Sequence, residues 1–259
     1  MRGTAEQYAS KIPEVTLVFW IVKIAATTLG ETGGDTVTMT LNWGYLAGSA
    51  LFLSLLVVFV FLQIAAKKFY PFLYWATIVA STTAGTTMAD FADRSLGIGY
   101  AGGSSVLFVC LMATLGAWYW SLGSISVATV STPKVEAFYW LAITISQTLG
   151  TALGDWTADD TGLGYDGGAL VFAAGLAIIA AAHFWTSVSR VFLFWAAFIL
   201  TRPLGATVGD FLDKPVSDGG LALSRPIAST VIGVFIIACI LVLPQRAGRH
   251  PGSSDSASG

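Results

Sequence analysis

Four aspartates recur at one position of a repeated sequence unit, and they are the first candidates for chemistry. Counting forward from each of four tryptophans, a glycine follows after ten residues, a small residue after fourteen and an aspartate after fifteen. The unit W-x9-G-x3-[GA]-D begins at Trp20, Trp75, Trp140 and Trp195 and ends at Asp35, Asp90, Asp155 and Asp210. Carboxylate oxygens are the ligands that hard cations prefer, so the four aspartates predict ion binding.

A polar stripe leads along the chain to each aspartate. Residues four apart lie on one face of a helix, and steps of four back from each aspartate give mostly polar residues. Glu31 and the uncharged members of the stripes are candidate residues of an ion pathway: Thr27, Thr82, Thr86, Gln147 and Thr151. Glu31 and the four aspartates are the candidate metal ligands. The segments between the stripes lack this pattern, so we expect the striped helices inside, around a polar axis, and the others outside against lipid.

Two bases, Lys23 and Arg202, lie within the same stripes. Arg202 is ~18 Å of helix from Arg190, beyond the middle of a bilayer core ~30 Å thick. A charge at that depth needs a partner or a wet cavity. Glu31 lies one turn above Arg202, and the first and fourth copies are neighbours if four copies close a ring. We therefore expect Arg202 to pair with Glu31 as a coupling element, whereas Lys23 either faces the axis or snorkels to the interface.

The small residues and tryptophans of the unit have structural interpretations. Small residues let membrane helices pack closely, and we assign this role to seven glycines: Gly30, Gly34, Gly85, Gly150, Gly154, Gly205 and Gly209. Tryptophan is enriched at membrane–water interfaces, so the four tryptophans are interpreted as an aromatic belt. The aspartates are expected to form an acidic vestibule at the opposite membrane face.

The composition indicates an integral membrane protein. Apolar residues make up 55% of the chain and charged residues 11%, with a mean hydropathy of +0.73, whereas a soluble domain has about 25% charged residues. Eight apolar stretches follow one another, and in hydrocarbon such runs must be helical: 15–35, 45–66, 71–90, 100–121, 135–155, 165–186, 190–210 and 222–243. We predict an all-α protein of eight transmembrane helices, made of four parallel two-helix repeats with the odd helices inner and the even helices outer.

The tryptophan spacing of 55, 65 and 55 residues divides the chain into two halves. The ten extra residues predict a linker over 122–132, between a first four-helix half over 15–121 and a second over 133–244. Residues 1–14 are an N-terminal segment, and the Gly/Ser-rich stretch 245–259 is predicted to be a disordered tail.

The bases are distributed unevenly between the two predicted membrane faces. Eight lysines and arginines lie on the side that holds both termini, and three lie in the loops of the other side. Because cytoplasmic loops carry an excess of basic residues, we expect both termini in the cytoplasm of a bacterial inner (plasma) membrane. The aspartates then face outward, on the side that collects eleven of the fifteen acids.

The fourfold unit resembles a bacterial membrane-protein family of four tandem two-helix repeats of unknown function. The match runs from Val15 to about Leu243 in spacing and copy number, and it implies a fold but no activity. Locally, Glu31 to Thr36 (E-T-G-G-D-T) is similar to the E-x-G-D-[KR]-[TS] motif of manganese and calcium cation/proton exchangers. The spacing differs by one residue, the basic residue is missing, only the first copy has the glutamate, and that family has inverted repeats. This likeness implies a divalent cation.

Motifs of common catalytic and nucleotide sites are absent. The sequence has no Walker A loop, no H-E-x-x-H and no G-x-S-x-G, so we expect neither an enzyme nor a cofactor. Membrane lipid and a small ion are the expected partners, nucleic acid is not, and a homo-oligomer is left open. The leading hypothesis is a secondary transporter of a small cation, such as manganese exchanged for protons. The alternatives are a passive cation channel with an outer carboxylate ring and a non-transport scaffold, while the two buried bases leave an anionic solute open.

Overall fold

The computed structural model describes residues 10–127 and 130–248. Over these ranges the chain forms eight long α-helices, and its only β pairing is an isolated bridge between Pro13 and Ala247. The helices are α1 (Leu17–Asp35), α2 (Gly44–Ala65), α3 (Pro71–Asp90), α4 (Tyr100–Leu122), α5 (Pro133–Asp155), α6 (Gly164–Trp185), α7 (Arg190–Asp213) and α8 (Arg225–Val242). Their ends fall within three residues of the eight stretches expected from hydropathy.

Five of these helices are long and apolar enough to cross a membrane: α2, α4, α6, α7 and α8. The helices α1, α3 and α5 have the length but a lower hydropathy, because each carries buried threonines and acids along its stripe. The polar faces of these three helices are covered by protein, whereas α2, α4, α6 and α8 expose rows of large apolar side chains.

The odd-numbered helices form a closed ring at the centre of the molecule. Helix α1 packs on α3, α3 on α5, α5 on α7 and α7 back on α1. Each even helix lies outside and packs mainly on the odd helix that follows it, with α8 on α1. The prediction of inner odd helices and outer even helices is confirmed, and all four repeats share one bundle.

Glycines allow the four inner helices to approach closely. The glycine five residues before each aspartate receives a stripe residue of the next helix round the ring, in the pairs Gly30 with Thr82, Gly85 with Gln147, Gly150 with Arg202 and Gly205 with Thr27. A Cβ built on Gly205 would lie 2.1 Å from the Thr27 hydroxyl oxygen, so no larger residue fits without a shift. The glycines one residue before an aspartate do the same, in the pairs Gly34 with Thr86, Gly154 with Ala206 and Gly209 with Glu31. At these seven glycines neighbouring inner helices approach closely, as small residues allow in membrane proteins. The packing role assigned to them stays a prediction.

The aspartate ends of the inner helices are irregular. After Asp35, Asp90 and Asp155 the chain continues through one wider π-helical turn, over Thr36–Thr40, Phe91–Ser95 and Trp156–Asp160. Such turns inside helices are often found at functional sites. In the fourth copy α7 instead continues as an α-helix to Asp213.

The first and last described segments of the chain pair with each other at the opposite end of the bundle. The Ser10 amide donates to the Gly248 carbonyl at 3.0 Å, and the Glu14 amide donates to the Arg246 carbonyl at 2.9 Å. Residues 245–248, assigned above to a disordered tail, are thus ordered in this structure. Residues 249–259 of that tail, residues 1–9 of the N-terminal segment and residues 128–129 of the linker lie outside the described part of the chain.

Candidate functional site

Five layers of buried side chains fill the ring, because the stripes of the four inner helices are in register. From the aspartate end, they are a carboxylate layer (Asp35, Asp90, Asp155, Asp210), a glutamate layer (Glu31, Thr86, Thr151, Ala206), an arginine layer (Thr27, Thr82, Gln147, Arg202), a lysine layer (Lys23, Ile78, Ile143, Phe198) and an aromatic layer (Phe19, Tyr74, Tyr139, Phe194). No member is more than 8% exposed. All of the ion-pathway residues predicted from the sequence therefore share one interior.

Arg202 and Glu31 form a buried ion pair. The Arg202 Nη2 atom lies 2.9 Å from the Glu31 Oε2 atom, and the two side chains are 0% and 3% exposed. The guanidinium also donates to the Thr86 and Thr151 hydroxyls and to the Thr27 carbonyl. The predicted pair is confirmed, and it joins all four inner helices, because Arg202 rises from its own layer into the glutamate layer. Its role in coupling stays a prediction.

Lys23 is fully buried and does not reach an interface. Its Nζ atom lies 4.1 Å from the centroid of the Phe198 ring and makes no hydrogen bond within the described residues. Of the two orientations left open by the sequence, the structure has the one that faces the interior.

Basic side chains close the carboxylate layer from outside. The Lys214 Nζ atom lies 2.7 Å from Asp35 Oδ2 and 3.0 Å from Asp210 Oδ1, and the Arg94 Nε atom lies 2.9 Å from Asp90 Oδ1. The four aspartates meet at one end of the bundle as predicted. They do not form the open vestibule that we expected, because they are at most 3% exposed and three of them are paired with a base.

The two closing bases occupy one position of the repeat. Arg94 and Lys214 each follow their own aspartate by four residues, in the second and fourth copies. These copies face each other across the ring, since α3 and α7 both pack on α1 and α5. The first and third copies have Met39 and Asp159 at this position. The sequence analysis missed this twofold pattern, although extending the repeat four residues beyond the aspartate would have found it.

Lys214 keeps its charge in this buried position. Burial by itself would lower the pKa of the Lys214 ammonium, but the carboxylates of Asp210 and Asp35 outweigh it and hold the pKa above its ordinary value. The loop after α7 therefore places a permanent cation among the aspartates.

Three carboxylates below this base converge, and each also contacts a base: Glu31 contacts Arg202, Asp35 contacts Lys214 and Asp90 contacts Arg94. Glu31, Asp35 and Asp90 each offer an oxygen, and these oxygens lie within 4.8 Å of one another. The Asp35 Oδ1 and Asp90 Oδ2 atoms are buried and accept no hydrogen bond from the described residues. This donor set of oxygen atoms suits a hard cation.

A second acidic group consists of Asp35, Asp210 and Asp213, whose oxygens also lie within 4.8 Å of one another, and Lys214 and Arg225 contact it. Asp35 belongs to both groups, so the two groups and Asp155 together contain six carboxylates. Four bases of the described residues contact them: Arg94, Arg202, Lys214 and Arg225. Full ionisation would leave two uncompensated negative charges, which matches one divalent cation or two protons.

The aromatic layer closes the other end of the polar interior. The Tyr74 and Tyr139 hydroxyls are hydrogen-bonded at 2.8 Å, and the Phe19 and Phe194 ring centroids lie 6.2 Å apart. Three of the repeat tryptophans pack behind this layer at no more than 3% exposure: Trp75, Trp140 and Trp195. The interpretation of these three as an interfacial belt is wrong. The missed signal is the Phe or Tyr that precedes every repeat tryptophan.

Comparison with known proteins agrees with this repeat architecture. The family model described as Repeat of Unknown Function (DUF347) matches four segments of the chain, at residues 18–69, 73–124, 138–189 and 193–246. No curated protein and no solved structure matches the chain. The four segments begin at intervals equal to those of the repeat tryptophans, and each contains one inner and one outer helix. Since they cover most of its length, the chain belongs to the DUF347 family of fourfold repeat proteins.

Proposed function

We propose that the protein is a secondary transporter of a small cation, with Glu31, Asp35 and Asp90 as the binding site. The observation that carries the proposal is the convergence of these three buried carboxylates, two of which have an oxygen free of hydrogen bonds. The surplus of two negative charges favours a divalent metal such as manganese, exchanged for protons.

The barriers on both sides of the site favour a transporter over a channel. Lys214, Arg94 and Arg225 lie between the carboxylates and the loops, while the Glu31–Arg202 pair and the aromatic layer lie below them. A buried arginine across the axis would be an electrostatic barrier to a permeating cation, which disfavours a passive cation pore. In a transporter, a cation or proton arriving at Glu31 would release Arg202 and open the lower barrier.

The membrane placement is part of the proposal. All eight helices would cross a bacterial plasma membrane, with α1, α3 and α5 shielded from lipid by the outer helices. The paired chain ends and the basic residues Lys11, Lys67, Lys68 and Lys134 would face the cytoplasm. The carboxylate layer would then open toward the outside.

Cysteine labelling tests this placement. In a Cys110→Ser/Cys239→Ser background, Lys68→Cys should resist an impermeant thiol reagent in intact cells, and Asp160→Cys should react. The reverse pattern would invert the orientation, and labelling at both positions in intact cells would refute the spanning arrangement.

Flux into proteoliposomes tests the function itself. We expect saturable manganese uptake that depends on an opposing proton gradient, and we expect Asp35→Asn to slow it at least about tenfold, the effect of ~1.4 kcal/mol at one ligand. Asp160→Asn, at an exposed acid of the same end, is the matched control. Unsaturated ohmic current would indicate the channel, and absence of flux for a panel of ions would indicate the scaffold.

A further inference from the structure

Four polar side chains in the middle of the ring have atoms without hydrogen-bond partners among the described residues. They are the Lys23 ammonium, the Thr82 hydroxyl, both amide atoms of Gln147 and the Arg202 Nε atom. All four residues are 0% exposed. One comes from each inner helix, so all four helices contribute an unpartnered group to the interior.

The packing places these atoms within two adjacent layers. Thr82, Gln147 and Arg202 share the arginine layer, because each is seated on the equivalent glycine of the preceding helix. Lys23 lies one turn lower, and its ammonium is held over the ring of Phe198, which is itself one turn below Arg202. One turn of helix is ~5.4 Å, so a single small ligand can contact both layers.

A protonated Lys23 would be an uncompensated positive charge in this region. Arg202 is neutralised by Glu31, but Lys23 contacts no acid among the described residues, and Glu31 lies two turns above it, ~12 Å along α1. The face of Phe198 offsets only part of the cost of burying an ammonium. The unpartnered Lys23 ammonium, Arg202 Nε and Gln147 amide nitrogen are donors only, the Thr82 hydroxyl is able to donate, and the Gln147 amide oxygen is the one pure acceptor of the set. This majority of donors suits an anion.

We infer that the arginine and lysine layers bind a small monovalent anion the size of chloride, with Lys23 as its counter-charge and Gln147 and Thr82 as donors. This site adjoins the carboxylate site, one turn below Glu31, and has the opposite sign. Its ligand is held by groups that the cation site does not use, so the inference stands whether or not the protein transports a cation.

Iodide quenching of tryptophan fluorescence tests the inference on the full-length protein in detergent, with a metal chelator present. The buried tryptophans behind the aromatic layer lie about one turn below Lys23, so iodide in the site should add a saturable component to the linear quenching of exposed tryptophans. Chloride should compete with it. We expect Lys23→Met to weaken the saturable binding at least tenfold and Lys68→Met, at an exposed lysine, to leave it unchanged.

A second variant keeps the test decisive if Lys23→Met does not fold. Gln147→Leu retains the lysine and removes two polar atoms, and it should weaken iodide binding severalfold. Purely linear quenching in the wild type would overturn the inference. Saturable quenching that survives both Lys23→Met and Gln147→Leu would overturn it as well, because the anion would then be bound elsewhere.

Discussion

The buried pair of Arg202 and Glu31 should dominate the stability of the ring. Among the described residues Glu31 is the only acid that Arg202 contacts, so Glu31→Ala leaves the guanidinium with three neutral acceptors: two threonine hydroxyls and one carbonyl. Stranding one member of a buried pair typically costs ~3–5 kcal/mol of unfolding free energy. Arg202→Met should cost a similar amount, because it strands the Glu31 carboxylate.

Replacing both partners should recover part of the loss. The double variant Glu31→Ala/Arg202→Met buries no unpaired charge, so we expect it to be more stable than the sum of the single effects predicts, by at least about 2 kcal/mol. Unfolding by SDS titration in mixed micelles measures the free energy of all four proteins in one assay.

A second arginine–carboxylate pair of equal length provides the control. Arg94 and Asp90 also approach to 2.9 Å, but the Arg94 side chain is 34% exposed. Asp90 is buried, but solvent reaches Arg94 and screens the pair, so the cycle through Arg94→Met and Asp90→Ala should show a smaller coupling energy than the cycle through Arg202 and Glu31. Equal coupling in the two cycles, or additive effects at Arg202 and Glu31, would refute the view that the buried pair closes the ring.

Two further substitutions test the packing and the closing base. Gly205→Ala should destabilise the protein by ~1–3 kcal/mol in the same micelle assay, because its Cβ would meet Thr27 at 2.1 Å. The control Gly33→Ala in α1, where a Cβ meets nothing within 4 Å, should be neutral or slightly stabilising. Equal losses of stability in the two variants would contradict the close packing of α7 on α1 at Gly205. Lys214→Gln should tighten manganese binding at least about fivefold in calorimetric titrations, since a unit charge ~4 Å away contributes ~1–4 kcal/mol. Lys134→Gln, exposed at the other end, should leave affinity unchanged, and weaker binding in Lys214→Gln would mean that the base assists the ion.

The parts of the structure that could be predicted are those set by spacing. A fixed distance from tryptophan to glycine to aspartate in four copies places the stripes in register, and a closed ring then makes the first and fourth copies neighbours. The pairing of Glu31 with Arg202 follows from that register without any knowledge of side-chain conformation. Close packing at Gly30 or Gly205 follows for the same reason, since only small residues recur at those positions.

The parts that could not be predicted depend on how the chain leaves each helix. Lys214 reaches Asp35 because the loop after α7 folds back, with the Ala222 amide donating to the Lys214 carbonyl at 2.9 Å. Hydropathy and periodicity carry no information on such a loop. The burial of Trp75 and Trp140 was missed because tryptophan at a helix end is equally typical of an interface, and only the aromatic neighbours decide between the two.

The repeats have kept a fourfold backbone while their side chains have lost fourfold symmetry. Glycines at equivalent positions hold the inner helices at equal separation, and the four aspartates preserve the symmetry at one end. One layer lower, a single copy supplies Glu31, and the next two layers hold one arginine and one lysine. A symmetric ring of ligands would bind an ion on the axis and offer it no preferred way out. Placing one acid beside one base makes the lower barrier a single ion pair, which a single arriving charge is able to break. The asymmetry therefore lies where the proposed transporter would need it, between the carboxylate layer that would receive an ion and the aromatic layer that would block its passage.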